Sequence, residues 1–245
     1  MMIFMLISGI NFALHYGLIK GRFKSMVNNI ELKSYLGIIF IVGGSISFML
    51  YFRQGLPLEQ AFRDAFFQVI SVITATGFAS ADYLEWNQMS WLLIFLLMFV
   101  GACVGSTGGG IKVIRHVVAA KVVFRIFLQQ VHPHRVKSIQ INKRTVTDEK
   151  VQSIITFIFV YLFIFFIGGM CLLATGLDPA SAFSASITSM GGIGPGLGTV
   201  GPASNFAHLS DVAKIILPIL MIIGRLEVLS FLVLFTPNFW KGNIK

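Results

Sequence analysis

Charge is scarce in this sequence. Of its 245 residues only 12% are Asp, Glu, Lys or Arg, whereas 56% are hydrophobic and the mean hydropathy is +0.82. Soluble domains carry roughly a quarter charged residues, so an ordinary soluble fold is excluded and an all-α integral membrane protein is expected. Cysteine is rarer still, with only Cys103 and Cys171, both inside apolar stretches. A structural disulfide or a cysteine-built metal site therefore has no support, and both read as small core residues. His, Asp, Glu and Cys are nowhere gathered within one leaflet, as a membrane enzyme would need. No enzymatic activity is expected.

What the sequence has instead is long apolar runs. A crossing helix needs ~20 apolar residues, and runs near that length occur at Met1 to Ile19, Leu36 to Phe52, Trp91 to Gly105, Val151 to Thr175 and Val212 to Phe235. Five spanning segments are expected. The first has the length of a signal peptide, but no basic residue precedes it, Asn11 and His15 lie at its centre, and the basic cluster follows it. Retention is expected.

The net charge of +9 is sorted by loop. Lys20, Arg22, Lys24 and Lys33 lie between the first two runs, and Lys112 to Lys150 carry a second cluster between the third and fourth. The other two loops hold Glu59, Asp64, Asp82, Glu85, Asp178 and Asp211 against Arg53, Arg63 and Lys214. Basic loops face the cytoplasm. The expected topology is a multi-pass plasma-membrane protein with its N-terminus outside and its C-terminus cytoplasmic. Topology accounts for the basicity, and no nucleic-acid partner is expected.

The chain also repeats itself. Ala61 to Ile73 and Ala180 to Ile187 are apolar stretches of about half a span, the length of a re-entrant element. Each precedes a glycine-containing tract, TATGFAS from Thr74 to Ser80 and SMGGIGPGLG from Ser189 to Gly198. Setting Gly77 on Gly194, an offset of 117 residues, also sets Ala65-Phe66 on Ala182-Phe183 and Ile70-Ser71 on Ile187-Thr188. The expected organisation is an inner helix of an incomplete preceding copy (1–19), a pore repeat (31–128, pore loop 61–80), a basic cytoplasmic loop (129–150) and a second pore repeat (151–245, pore loop 180–198). Irregular backbone at membrane depth survives only where protein or water satisfies it. A short helix that enters and a strand that returns therefore imply a pore, whose carbonyls replace a cation's hydration shell.

TATGF, GGIGPGLG, GSTGGGIKVIR and GRLEVLSFLVLFTPNFW, in that order, resemble the Trk/Ktr/HKT superfamily of potassium transporters, in particular its TrkH type. INFALHYGLIK, Ile10 to Lys20, resembles the end of the inner helix of that family's second repeat. The resemblance implies potassium transport, passive or driven as symport, with potassium as the bound ion and no organic cofactor. Carried over by motif, the filter strands are Thr74, Ala75, Thr76, Gly77 and Phe78, then Gly191, Gly192, Ile193, Gly194 and Pro195. The family surrounds one pore with four repeats on one chain, whereas this sequence holds the equivalents of the third and fourth. The expectation is a truncated or split form, or a homodimer or partner chain that supplies the missing repeats.

Gly105, Ser106, Thr107, Gly108, Gly109 and Gly110 interrupt an otherwise apolar helix, and each glycine costs about 1 kcal/mol relative to Ala in a helix. The resemblance implies an intramembrane gating loop; a close-packing face of small residues is the alternative. GSTGGGIK lacks P-loop spacing, since Ile111 and Lys112 stand where Lys and Ser or Thr are required. Gly196, Gly198 and Gly201 match a dinucleotide fingerprint by spacing, but Pro202 follows where a helix would have to start. Arg225 and Glu227, two apart on a helix, point in different directions, so each needs another partner. By resemblance Arg225 contacts the gating loop; a snorkelling or structurally paired arginine is the alternative. Lys112 and Arg115 read as interfacial anchors. The loop from Lys121 to Lys150 lies where the family's cytoplasmic nucleotide-binding regulatory subunit docks, and its His132-x-His134 pair is weak evidence for a metal.

Overall fold

The computed structural model describes residues 1–132, 138–142, 144–234 and 240. Helices dominate it. Two of them are long and apolar enough to cross a membrane, α4 (Ile30–Gln54) and α8 (Asp148–Ala174). Asn29 starts α4 by accepting from Glu31 N at 2.9 Å and Leu32 N at 3.2 Å, and left-handed Gly55 (φ 67°) ends it. Both helices leave large apolar side chains exposed, among them Phe40, Ile41 and Phe48 on α4 and Phe159, Phe163 and Phe166 on α8. A lipid environment is the solvent such faces need.

Each long helix packs against a shorter one, α5 (Leu58–Ile73) on α4 and α9 (Pro179–Gly191) on α8. These are the two half-span stretches, and almost every residue in their C-terminal halves is buried. Asp178 caps α9 by accepting from Ser181 N at 3.0 Å, with Pro179 pre-set at the first helical position. This carboxyl, outside the spanning segments, is held below its usual range chiefly by Ser181 and then by backbone N–H groups. The α8–α9 contact is close because Gly168 and Gly169 face it. A Cβ at Gly169 would lie 2.3 Å from the Phe183 ring. Gly169→Leu is therefore expected to cost ~1–3 kcal/mol by overpacking, read as a lower unfolding temperature of the detergent-solubilised protein.

The other three expected spans are not unbroken helices. The first divides into α1 (Met2–Ser8) and α2 (Phe12–Ile19), bent by 100°. The third stops early: α6 (Gln88–Leu97) gives way to an extended passage before α7 (Val113–Val131), with β1 (Val100–Gly101) pairing in parallel with β2 (Ile111–Lys112). In the fifth, α10 (Asp211–Arg225) is separated from α11 (Val228–Val233) by Leu226 and Glu227, and Glu227 is left-handed at φ 58°. Apolar content alone gives no sign of where an apolar run stops being helical.

Two of these breaks satisfy each other. Cys103 N donates to Gly9 O at 3.0 Å, and Phe12 N donates to Gly105 O at 3.3 Å. Groups left without a helical partner at one interruption thus find partners at the other, so the first segment is tied to the glycine loop rather than standing apart. Cys103 is buried there, but Cys171 is exposed on α8 and is not a core residue. On the basic side a hairpin, β3 (Gln140–Ile141) and β4 (Arg144–Thr145), covers a small cluster of Val118, Ile139 and Val151. His134 lies outside the described residues.

Candidate functional site: two glycine strands above a glycine loop

The half-helices α5 and α9 end at Ile73 and Gly191, within one residue of the 117-residue offset. The strands that follow share one backbone geometry. Thr76 N donates to Ser71 O at 3.0 Å and Ile193 N donates to Thr188 O at 2.9 Å, bonds between positions related by the same offset. Left-handed residues alternate identically, Ala75 (φ 53°) and Gly77 (φ 73°) against Gly192 (φ 66°) and Gly194 (φ 106°). Left-handed residues at alternate positions turn carbonyls toward one side, an arrangement suited to lining an ion path. Ala75 occupies a conformation that costs a non-glycine residue roughly 1–2 kcal/mol, strain of the kind that gathers at functional sites. Gly192, Gly194 and Phe78 are exposed while Thr74, Gly191 and Ile193 are buried.

The strands lie against each other, since a Cβ on Gly77 would come within 2.2 Å of Ile193 O. They are braced from outside. Tyr83, in the 3-10 turn Tyr83–Glu85, donates its hydroxyl to Gly196 O at 2.6 Å and is buried. Ser184 Oγ receives Leu197 N at 2.8 Å, and Ser181 Oγ receives Thr199 N at 2.8 Å. Tyr83→Phe strands the Gly196 carbonyl, at an expected ~1–3 kcal/mol, checked by thermal unfolding of the purified protein.

The glycine loop runs directly below. A Cβ on Gly108 would meet Thr74 O at 3.1 Å, and one on Gly109 would meet Gly191 O at 2.2 Å. These two carbonyls are the equivalent first positions of the two strands, so consecutive loop glycines pack against equivalent points of both. Only residues without side chains come this near. Gly105 and Gly110 are left-handed, both at φ 73°. Glu227 occupies the position 117 residues beyond Gly110 and is left-handed as well, which sets the two inner-helix breaks at one level.

Cations hold the loop. Arg225 Nη1 donates to Thr107 O at 2.8 Å. Lys112 Nζ donates to Gly108 O at 2.7 Å, with Ser106 Oγ at 3.3 Å and Ser106 O at 3.4 Å. Lys112 is half-buried beneath the loop, with its ammonium on the loop's own oxygens rather than extended outward as an interfacial anchor. Arg115 Nη2 pairs with Glu227 Oε2 at 2.8 Å and lies 3.7 Å from the centre of the Phe157 ring. Glu31, buried in the first turn of α4, accepts from Val104 N at 2.6 Å and anchors the start of the loop. Its sequence cue is that it is the one acidic residue in the basic stretch Lys20 to Lys33.

Two cavities of about 290 Å³ flank the loop. The upper is lined by Ala75, Ser189, Gly191 and Gly192; the lower by Ser106, Lys112, Arg115 and Glu227. Thr107, Gly109 and Arg225 border both and form the partition. The C-terminus of α9 opens on the upper cavity, where a helix end carries about half a negative charge. No group of three or more His, Cys, Asp or Glu suited to a metal ion occurs among the described residues. Backbone oxygens of the strands and the loop are the acceptors the site offers to a cation.

Known proteins resemble this chain in sequence and fold. The chain is 37% identical over 241 residues to the Trk system potassium uptake protein TrkH of Escherichia coli (strain K12), covering 98% of this chain and 50% of that protein. It is 36% identical to the Trk system potassium uptake protein TrkI of Halomonas elongata, with 98% and 49% covered. The crystal structure of the potassium transporter TrkH from Vibrio parahaemolyticus superposes with a TM-score of 0.90 at 32% identity, over 98% of this chain and 52% of that one. The chain thus spans about half the length of the relatives it matches. The family model for TrkH, cation transport protein, matches residues 1–242, and the chain belongs to the TrkH family of membrane proteins.

Proposed function

We propose that this chain supplies half of a potassium-conducting pore. The matched alternation of left-handed residues at Ala75, Gly77, Gly192 and Gly194 carries the reading, because it is the backbone geometry that turns carbonyls toward a passing cation. Thr74, Ala75, Thr76, Gly77 and Phe78 form one filter strand; Gly191, Gly192, Ile193 and Gly194 form the other. Potassium is the transported ion, and carbonyl oxygens substitute for its water. Gly105 to Gly110, held by Arg225, form the gate beneath, a role supported by the loop's place between two cavities. The exposed sides of Gly192 and Gly194 face the pore axis, and two further strands complete it. A second copy or a partner chain carrying the other repeats supplies them. The protein lies in the plasma membrane with its N-terminus outside and the loop from Lys121 to Lys150 in the cytoplasm, where it receives a nucleotide-binding regulatory subunit.

The half-length match to the relatives favours one competing reading, a non-transporting half that acts only in assembly. Growth of potassium-uptake-deficient cells at low potassium separates the two. Rescue by this chain, alone or with a chain carrying the missing repeats, is expected, and Gly77→Ser or Gly194→Ser is expected to abolish it. Absence of rescue in both settings removes transport from this polypeptide.

A further inference from the structure

We propose that the glycine loop contains a monovalent-cation site and that the Lys112 ammonium occupies it from within the chain. The inference rests on reading the loop as the gate. Lys112 Nζ is surrounded by Gly108 O at 2.7 Å, Ser106 Oγ at 3.3 Å and Ser106 O at 3.4 Å. An ammonium has three donors and no acceptor, and these three oxygens take them. All are uncharged, two carbonyls and a hydroxyl. That is the donor set a weakly hydrated monovalent cation accepts in place of water, whereas a divalent ion draws carboxylates.

The lysine does not reach this place by default. A lysine near a membrane boundary extends its ammonium to the interface, yet this side chain folds back under its own loop. Two charged neighbours favour it and two oppose it. Glu31 and Glu227 attract the ammonium, and Arg115 and Arg225 repel it. Glu31 also holds Val104 N at 2.6 Å, so a negative charge lies at the start of the loop that Lys112 closes from its end. Arg225 approaches from another helix and takes the adjacent Thr107 carbonyl. The consecutive carbonyls of Thr107 and Gly108 are therefore both saturated by the protein's own cations. Losing the ammonium costs the loop a charge-assisted hydrogen bond at Gly108 O, which gives the closed loop a reason to keep its lysine. A cation that has passed the strands above meets oxygens already filled, and must compete with a tethered ion for them.

The test reads loop protection rather than ion flux, so loss of the transport reading leaves it intact. Thr107→Cys is placed in a Cys171→Ala background, Cys103 being buried, and its labelling by a water-soluble thiol reagent is timed in detergent micelles. With Lys112 present, equal rates are expected in potassium chloride and in N-methylglucamine chloride. Lys112→Met should label about tenfold faster in N-methylglucamine, and potassium should return it toward the original rate. Lys112→Gln, uncharged and of similar length, makes the same comparison should the methionine variant fail to fold. A variant that labels no faster than the Lys112 protein overturns the ammonium's role. One that labels faster yet ignores potassium overturns the cation site.

Discussion

Gly77→Ala is expected to abolish cation passage, while Gly194→Ala leaves a measurable remainder. Both residues have positive φ, 73° and 106°, so alanine is strained at either, by roughly 1–2 kcal/mol at the left-handed Gly77. Space separates them. The new methyl at Gly77 would stand 2.2 Å from Ile193 O, a backbone atom of the other strand that cannot rotate away, whereas nothing lies within 4 Å of a Cβ at Gly194. One substitution therefore distorts both strands and the other only its own. Tracer rubidium uptake by proteoliposomes containing the chain and the completing repeats measures the difference. Equal losses at the two positions contradict the close approach of the strands.

Arg225→Ala is expected to raise resting cation flux about tenfold. The guanidinium donates to Thr107 O at 2.8 Å, and a hydrogen bond to a charged group contributes ~1.5–3 kcal/mol. The exposure of Arg225 argues for the lower end of that range, which corresponds to roughly a tenfold shift between closed and open loop. Arg225→Lys keeps the charge but loses the planar fork, so an intermediate flux is expected. Removing the arginine also removes a positive charge from between the two cavities, which acts in the same direction. A fall in flux would show that Arg225 merely supports the fold.

The parts of this site that are legible in sequence are those encoded locally. Half-helix length, the glycine tracts and the 117-residue offset between Gly77 and Gly194 are all visible without a fold, because each depends on apolar length or on residues that tolerate positive φ. Partners of interrupted backbone are invisible for the opposite reason. Gly9 O receiving Cys103 N and Gly105 O receiving Phe12 N involve main-chain atoms, so no side chain announces them. Lys112 misleads because a lysine at the end of an apolar run looks the same whether it reaches outward or folds under a loop. Glu31 stands out as the one acid among lysines, but its partner Val104 N does not, because that bond forms only once α4 is packed against the loop. The helix break after Leu97 falls in sequence as apolar as the helix it ends, whereas the break after Arg225 coincides with the charges of Arg225 and Glu227. Packing below the strands decides the first.

On the proposed reading the two glycine strands are filter walls for a monovalent cation. Rubidium uptake into potassium-loaded proteoliposomes, carrying this chain with and without a chain bearing the missing repeats, tests it most directly. Saturable uptake is expected in at least one preparation, competed by external potassium and absent when Gly77→Ser and Gly194→Ser are combined in a protein that retains its thermal stability. Uptake that survives the double substitution unchanged would contradict that reading, because the ion would then be passing somewhere other than between these strands.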